Sequence, residues 1–104
     1  MCGIAGIIEK KGKVNPARLK RMLEVMEHRG PDQNDIFISP DEKIGIGAVR
    51  LKIIDLSDKA SMPMKIGKTV IAMNGEIYNF KTLRNYLERR GEKFFSSSDT
   101  EVAG

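Results

Sequence analysis

The chain has 104 residues, enough for one small domain and too few for two. It carries 18 Lys and Arg against 14 Asp and Glu, a formal net charge of +4, and 40% of its residues are hydrophobic, which is an ordinary globular composition. The longest apolar run, at 4–8, is far too short to span a membrane, and the first ten residues lack the pattern of a secretory signal. We therefore expect a soluble cytoplasmic protein that does not associate with membranes.

The first half of the chain predicts a strand and a helix. Residues 3–8 form a short apolar run that is typical of a buried strand. Asn15 before Pro16 marks a helix start, because Asn caps helices and Pro fits their first position. We expect this helix to end near His28, with an apolar face at helical spacing that comprises Leu19, Met22, Leu23 and Met26.

Two further runs, 35–39 and 44–50, predict a β-hairpin. Gly45 and Gly47 alternate with larger residues in the second run, so one face of that strand is bare. Such glycines often mark the close approach of another backbone or a ligand. The connection that follows, 51–68, is long for so small a domain, and long loops are often functional.

The second half predicts a strand at 69–73 and a helix from Phe80 to about Arg90. Asn79 is the expected cap of that helix, its apolar residues are expected to face inward, and Gly91 is expected to end it. Phe94 and Phe95 predict another strand, and Asp99 is expected to begin a third helix. Strands and helices in this order predict an α+β domain built in layers.

Cys2 is the first candidate for chemistry. Removal of Met1 would place a thiol and a free α-amine on one residue, and an α-amine with a pKa near ~8 is partly neutral at pH 7. Such a residue combines a nucleophile with its own general base. The alternative is that this single cysteine is a small buried hydrophobic residue. One cysteine and one histidine also exclude an intrachain disulfide and a Cys/His zinc site.

Each of the other candidate site residues also has a purely structural interpretation. Asn74-Gly75 is either a turn with positive φ or a pair of N–H donors for an oxyanion. Arg50 either grips a carboxylate with two hydrogen bonds or forms a surface ion pair. Glu76 and Asp99 either bind a ligand ammonium or favour a helix start by their charge. His28 is expected to interact with a helix C-terminus.

Five ordered blocks connect these residues: MCGIAG at 1–6, HRGPD at 28–32, VRLKIIDLS at 49–57, MNGEIYN at 73–79 and SDTEV at 98–102. Together they resemble the glutaminase domain of glutamine-hydrolysing asparagine synthetases. That domain is a class II glutamine amidotransferase of the N-terminal-nucleophile hydrolase type. The resemblance covers essentially the whole chain, 1–104, and implies a four-layer αββα sandwich.

The resemblance also implies roles for the candidate residues. Cys2 would attack the side-chain amide of glutamine, forming a thioester that water hydrolyses to glutamate after ammonia leaves. Asn74 and Gly75 would hold the oxyanion. Arg50 would bind the α-carboxylate of the substrate, and its α-ammonium would be bound by Glu76 and Asp99. No cofactor is implied for this chain.

The sequence departs from the family pattern at three points. Ala48 stands where the family usually has His, and Met62 stands where it usually has Gln. The family domain is also nearly twice as long, so we expect only the N-terminal portion of the sandwich, incomplete at its C-terminus and without a synthetase domain. Apolar faces would then be exposed, which predicts a second copy or a second polypeptide that completes the sheet.

Two other functions fit parts of the sequence. A non-catalytic remnant or partner subunit would bind glutamine or another protein without turnover. A nucleic-acid-binding protein would use the bases near the first helix, but these lack the interleaved aromatic residues that stack on bases. We therefore expect glutamine as the ligand and no nucleic acid.

Overall fold

The computed structural model describes residues 2–104, and its main feature is a three-stranded antiparallel sheet. The strands are β1 (Gly3–Ile8), β2 (Gln33–Ile38) and β3 (Ile44–Arg50). Their order in the sheet is β1-β3-β2, so the last of the three in sequence lies in the centre. The predicted hairpin is confirmed by the pairing of β2 with β3.

The register of this sheet assigns the side chains of β3 to two faces. Gly3 lies opposite Val49, and Gln33 lies opposite Arg50. Because successive side chains of a strand alternate, Gly45, Gly47 and Val49 share one face of the sheet, and Ala48 and Arg50 share the other. The central strand therefore separates a packing face from the face that carries the arginine.

Helix α1 (Pro16–Val25) covers the packing face. Asn15 caps it as predicted, accepting a hydrogen bond from the N–H of Ala17, and Leu19 and Leu23 are buried beneath it. The helix ends earlier than predicted, at Val25, and a separate 3₁₀ turn follows at Glu27–Arg29. The N–H of Met26 bonds to the carbonyl of Leu23, three residues back, which tightens the chain out of the α-helical pattern.

The bare face of β3 receives side chains of this helix, not a backbone or a ligand as the glycine pattern suggested. A Cβ on Gly45 would lie 3.1 Å from Leu19 Cδ2, and one on Gly47 would lie 3.0 Å from both Leu23 methyl carbons. Either contact is closer than two carbons normally approach. The glycines therefore admit the leucines, which fill the space that the glycine pattern suggested for a backbone or a ligand.

Strand β1 is buried on one face only, which corrects the prediction of a fully buried strand. Ile4 and Ile8 are 48% and 75% exposed, and Ile44 beside them in β3 is 42% exposed. The chain has 6958 Å² of accessible surface, against about 5,800 Å² for a folded monomer of its 11.6 kDa mass. On the face of the sheet away from α1, these three isoleucines thus present apolar surface to solvent, whereas Ala48 and Arg50 on the same face are buried.

The long connection contains a strand that the sequence did not indicate, β4 (Met64–Ile66), which pairs with β5 (Thr69–Ile71). Two helices follow, α2 (Phe80–Arg89) and α3 (Asp99–Ala103). Their starts agree with the predictions, and two sheets with three helices confirm an α+β domain. Within residues 2–104, no helix is long and apolar enough to cross a membrane.

Several details of the second half differ from the predictions. Asn79 has φ −97° and ψ 25°, not the extended conformation of a capping residue, and its side chain makes no capping bond. No residue of α2 is fully buried. Phe94 and Phe95 form no strand, because the Arg84 guanidinium stacks over the first ring at 4.7 Å and the Glu101 carboxylate accepts from the second residue's N–H. The expected end at Gly91 is confirmed, with φ +96° there.

Removal of the Leu19 side chain tests the packing under β3. Leu19 is fully buried, so we expect Leu19→Ala to lower the free energy of unfolding by about 2–5 kcal/mol. Val25, in the same helix, is 76% exposed, and Val25→Ala is expected to change it by less than about 0.5 kcal/mol. Urea denaturation followed by circular dichroism measures both, and equal losses would contradict this packing.

Candidate active site

A cavity of about 340 Å³ opens at the carboxyl end of β3, between the loop that follows this strand, the segment before α2 and the start of α3. Its lining includes every residue that the sequence singled out for catalysis or substrate binding: Cys2, Arg50, Asn74, Gly75, Glu76 and Asp99. They come from four segments that are distant in sequence. The fold therefore brings all six candidates to one place.

Cys2 precedes β1 and is half-buried. If the register of Gly3 opposite Val49 continues by one residue, Cys2 faces Arg50 on the side of the sheet away from α1. Its Sγ lies 3.9 Å from the carbonyl oxygen of Leu51, and its own carbonyl accepts from Arg29 Nε at 3.2 Å. These contacts hold the thiol at the cavity wall and attach its backbone to the 3₁₀ turn.

Arg50, the last residue of β3, is 6% exposed. Its Nη1 donates to the Ser57 carbonyl at 2.9 Å and to Gln33 Oε1 at 3.5 Å, and its Nη2 donates to the Asp55 carbonyl. Nε and one Nη2 hydrogen have no partner within the described residues. A carboxylate can bind an arginine through both of its oxygens when two hydrogens on neighbouring nitrogens are available, and Arg50 has two such hydrogens.

Gly30 fixes the position of this arginine. A Cβ on Gly30 would lie 2.5 Å from the backbone nitrogen of Arg50, closer than any side-chain carbon approaches backbone. The carbonyl of Arg50 also accepts from the N–H of Asp32, and the Asp32 carboxylate accepts from the N–H of Lys52. The segment that follows the 3₁₀ turn thus lies directly against the end of β3.

The segment 74–76 is fixed at both ends. Just before it, the N–H of Met73 donates to Met62 Sδ at 3.4 Å, and just after it, the N–H of Ile77 donates to Asp99 Oδ2 at 2.8 Å. Neither Asn74 nor Gly75 has positive φ, so the left-handed turn is wrong. Both residues are exposed and line the cavity.

The two candidate acids differ in their surroundings. Asp99 is 6% exposed and begins α3, where one carboxylate oxygen accepts from Ile77. Its other oxygen has no partner within residues 2–104, and no buried side-chain oxygen in that range is unpaired, so this oxygen is accessible from the cavity. Glu76 is exposed and lines the same cavity. Arg50 thus contributes a cation to the cavity lining, and Glu76 and Asp99 contribute two of its acidic groups.

Hydrogen bonds from serines and backbone N–H groups hold α3 in place. Ser98 caps the helix, accepting from the N–H of Thr100 at 3.0 Å. The buried Glu101 carboxylate accepts from the N–H groups of Phe95 and Ser96 at 2.8 Å and from the Ser96 hydroxyl at 2.5 Å. A buried carboxylate with three donors is well satisfied, so Glu101 serves to shape the loop that presents Asp99.

Comparison with known proteins identifies the family of this fold and cavity. Residues 1–103 match the family model of the glutamine amidotransferase domain. The chain is 39% identical over 108 residues to asparagine synthetase [glutamine-hydrolyzing] 1 of Bacillus subtilis, covering 98% of the chain and 17% of that protein. It is 36% identical over 107 residues to asparagine synthetase [glutamine-hydrolyzing] 2 of the same organism, covering 98% of the chain and 14% of that protein.

A third relative is asparagine synthetase B [glutamine-hydrolyzing] of Escherichia coli, which is 39% identical over 106 residues, covering 98% of the chain and 18% of that protein. The chain belongs to the class II glutamine amidotransferases. It spans less than a fifth of the length of these three curated relatives.

The two substituted positions are both accommodated in this amidotransferase domain. Ala48 is fully buried in the sheet between its register partners Ile4 and Asp35. No buried side-chain nitrogen or oxygen in the described range lacks a partner, so alanine at this position leaves no polar side chain unpaired. Met62 is 3% exposed, and its sulfur accepts from Met73 and, at 3.9 Å, from the Thr100 hydroxyl.

Asp55 is the cavity residue whose importance the sequence did not reveal. Its carboxylate accepts from the N–H of Ser57 at 2.8 Å, from the hydroxyl of Ser57 at 2.5 Å, and from the N–H of Ser97 at 2.7 Å. These bonds lower the pKa of the Asp55 carboxyl below its usual value, and the bond from the Ser57 hydroxyl has the largest effect. The Asp-Leu-Ser order was a possible signal, since Asp often bonds to the backbone two residues on.

The remaining features of the site concern His28, metal binding and exposed apolar residues. His28 lies exposed in the 3₁₀ turn at Glu27–Arg29 and does not line the cavity. Within residues 2–104, no group of three or more His, Cys, Asp or Glu side chains is arranged to hold a metal ion. The exposed apolar residues at the cavity mouth, which the sequence did not indicate, are Ile53, Ile54 and Tyr78.

The ionised form of Asp55 stabilises the fold, because its pKa is lowered relative to the unfolded chain. This contribution is fully present above the unfolded pKa of about 3.9 and is lost as pH falls through the lower folded value. We therefore expect Asp55→Asn to be less stable than wild type at pH 7, with the difference shrinking below pH of about 4. Thermal unfolding between these pH values measures it.

Asp58→Asn is the matched control for this acid dependence. Asp58 lies in the same loop but is 87% exposed in its ion pair with Lys52, and exposed pairs contribute little to stability. A constant deficit of Asp55→Asn at every pH, or an equal deficit in Asp58→Asn, would show that the Asp55 charge is not the stabilising feature.

Proposed function

We propose that this chain hydrolyses the side-chain amide of glutamine to glutamate and ammonia, through a thioester on Cys2. The observation that carries the proposal is the single cavity lined by all six candidate residues, in a chain that belongs to the glutamine amidotransferases. Glutamine is a zwitterion with a neutral amide at its other end. Arg50 offers a cation, Glu76 and Asp99 offer two anions, and Cys2 offers a thiol, which match these parts.

The nucleophile is the Cys2 thiol after removal of Met1. The α-amine of the same residue takes the thiol proton, and the sulfur attacks the carbonyl carbon of the glutamine side chain. The proton then passes to the amide nitrogen, which leaves as ammonia, and a carbon–sulfur bond replaces the carbon–nitrogen bond. Water attacks this thioester and releases glutamate, and the thiol recovers its proton.

The oxyanion formed in both steps is bound by the Asn74 carboxamide and the backbone N–H of Gly75. The hydrogen bonds at Met73 and Ile77 hold this segment fixed before substrate arrives. Preorganised donors stabilise a developing negative charge without reorganisation during the reaction. Fixed ends on a short segment therefore support this role.

The head group of the substrate binds at the charged side chains. The two unpaired hydrogens of the Arg50 guanidinium receive the α-carboxylate, and the accessible oxygen of Asp99 receives the α-ammonium together with Glu76. Charged hydrogen bonds of this kind are stronger than neutral ones. They orient glutamine with its amide toward Cys2.

The released ammonia has a proposed destination. Three relatives carry the name asparagine synthetase [glutamine-hydrolyzing], so we propose that ammonia passes to a synthetase-type domain that makes asparagine. We also propose that the observed sheets belong to the αββα sandwich of N-terminal-nucleophile hydrolases. Completion of the sheet by a second copy or another polypeptide stays a prediction.

The first test is intact mass before and after treatment with a glutamine analogue that carries a diazoketone in place of the amide. We expect loss of Met1 and the gain of one label, because Cys2 is the single cysteine of the chain. Cys2→Ala is expected to take up no label and to release no ammonia from glutamine. Retained Met1, or labelling that survives in Cys2→Ala, would exclude this mechanism, and glutamine binding without turnover would instead indicate a non-catalytic glutamine-binding subunit.

The oxyanion role is tested with Asn74→Ala. Loss of one oxyanion donor is expected to lower kcat by about 10²–10³-fold while changing KM little. Asn79→Ala is the matched control, because Asn79 is also exposed in this segment and its side chain makes no capping bond. Ammonia release at saturating glutamine measures both variants, and normal turnover by Asn74→Ala would remove Asn74 from this role.

A further inference from the structure

We propose that Asp55 is a positioning residue that sets the separation between Arg50 and Asp99, the groups that receive the two charges of the amino-acid head group. The inference rests on the proposed function and adds a residue to it. Asp55 does not bind the head group in this scheme. It acts by joining the two segments that do.

The first connection runs to Arg50. The carbonyls of Asp55 and Ser57 both accept from the guanidinium, so the loop 55–57 determines where that group points. The Asp55 carboxylate closes this loop into a turn through Oδ1, which accepts from both the N–H and the hydroxyl of Ser57. The orientation of the arginine thus depends on a turn that Asp55 holds.

The second connection runs to Asp99. Oδ2 of Asp55 accepts from the N–H of Ser97 at 2.7 Å, across 42 positions of sequence. Ser97 lies two residues before Asp99 and directly before the cap of α3. Among the hydrogen bonds of the described residues, it is the one that joins the loop 51–61 to the segment 95–104.

A carboxylate is the side chain that these contacts require. Both of its oxygens are acceptors, and all three groups that approach it are donors. An amide has one acceptor oxygen and an NH₂ group, so Asn at this position would direct a donor at the N–H of either Ser57 or Ser97. Asp55→Asn therefore releases one of the two segments while preserving size and shape.

The reacting end of the substrate is anchored elsewhere. Cys2 is attached through Arg29 and Leu51, and the Asn74 segment is attached through Met62 at one end, with Asp99 bound only at its other end, at Ile77. A change at Asp55 is thus expected to act on head-group binding more than on the chemical step. This separates a positioning role from a general loss of structure, which would reduce both.

The experiment measures ammonia release by the full chain, together with calorimetric titration of glutamine into the Cys2→Ala form, which does not turn over. For Asp55→Asn we expect KM and Kd for glutamine to rise about tenfold or more, the effect of one hydrogen bond at a charged group. We expect kcat to change by less than about threefold, since Cys2 and the Met73 end of the Asn74 segment have anchors that do not involve Asp55 or Asp99. Asp58→Asn is the control and is expected to match wild type.

Glutaramate, which is glutamine without its α-ammonium, provides the second arm. It uses Arg50 but not Asp99, so in Asp55→Asn its Kd is expected to rise as much as that of glutamine if the Arg50 turn is released, and less if the segment before Asp99 is released. An unchanged Kd for both ligands, or a fall in kcat at unchanged KM, would overturn the positioning role. Absence of glutamine binding by wild type would instead overturn the proposed function, and the inference with it.

A milder variant keeps the test decisive if circular dichroism shows that Asp55→Asn does not fold. Ser57→Ala removes only the hydroxyl that donates to Oδ1 and leaves the backbone bond of the turn in place. It is expected to raise KM for glutamine severalfold at unchanged kcat. An unchanged KM in a folded Ser57→Ala protein would contradict the proposal.

Discussion

The alternation of side chains along the central strand β3 is the constraint on which the rest of this structure depends. Its glycines admit the leucines of α1 on one face, which anchors the helix and closes the core there. The same alternation sends Arg50 to the other face, where Cys2 lies when the register is extended by one residue. A shift of register by one residue would exchange the two faces and destroy core and cavity together.

Charge in the cavity is held in place mainly by the backbone. Arg50 donates to loop carbonyls, and Asp99 accepts from the N–H of Ile77. Burial of charged groups is costly unless hydrogen bonds compensate for lost water. Because backbone partners compensate without neutralising the charges, a cationic and an anionic group remain available in one cavity for a zwitterionic ligand.

The sequence predicted the local elements of the first half well, because their signals are local. Asn15 and Pro16 start a helix whatever surrounds it, and the alternating glycines of β3 were recognised from the sequence alone. The structural role of these glycines could not be inferred in the same way, because the residues that fill the space above them, Leu19 and Leu23, belong to a helix that lies earlier in the chain. The strand predicted at Phe94 and Phe95 does not form, because the Arg84 guanidinium stacks over the Phe94 ring and the Glu101 carboxylate accepts from the N–H of Phe95.

Five ordered blocks were enough to indicate the family, and the six candidate residues within them are among those that line the cavity. The tertiary structure was needed to show that β4 exists and that Asp55 is bonded to the segment before Asp99. The difference lies in separation along the sequence. Motifs and helix caps depend on neighbours a few residues away, whereas the bond from Asp55 to Ser97 spans 42 positions. No local pattern encodes such a partner, because both residues read alone as ordinary loop residues.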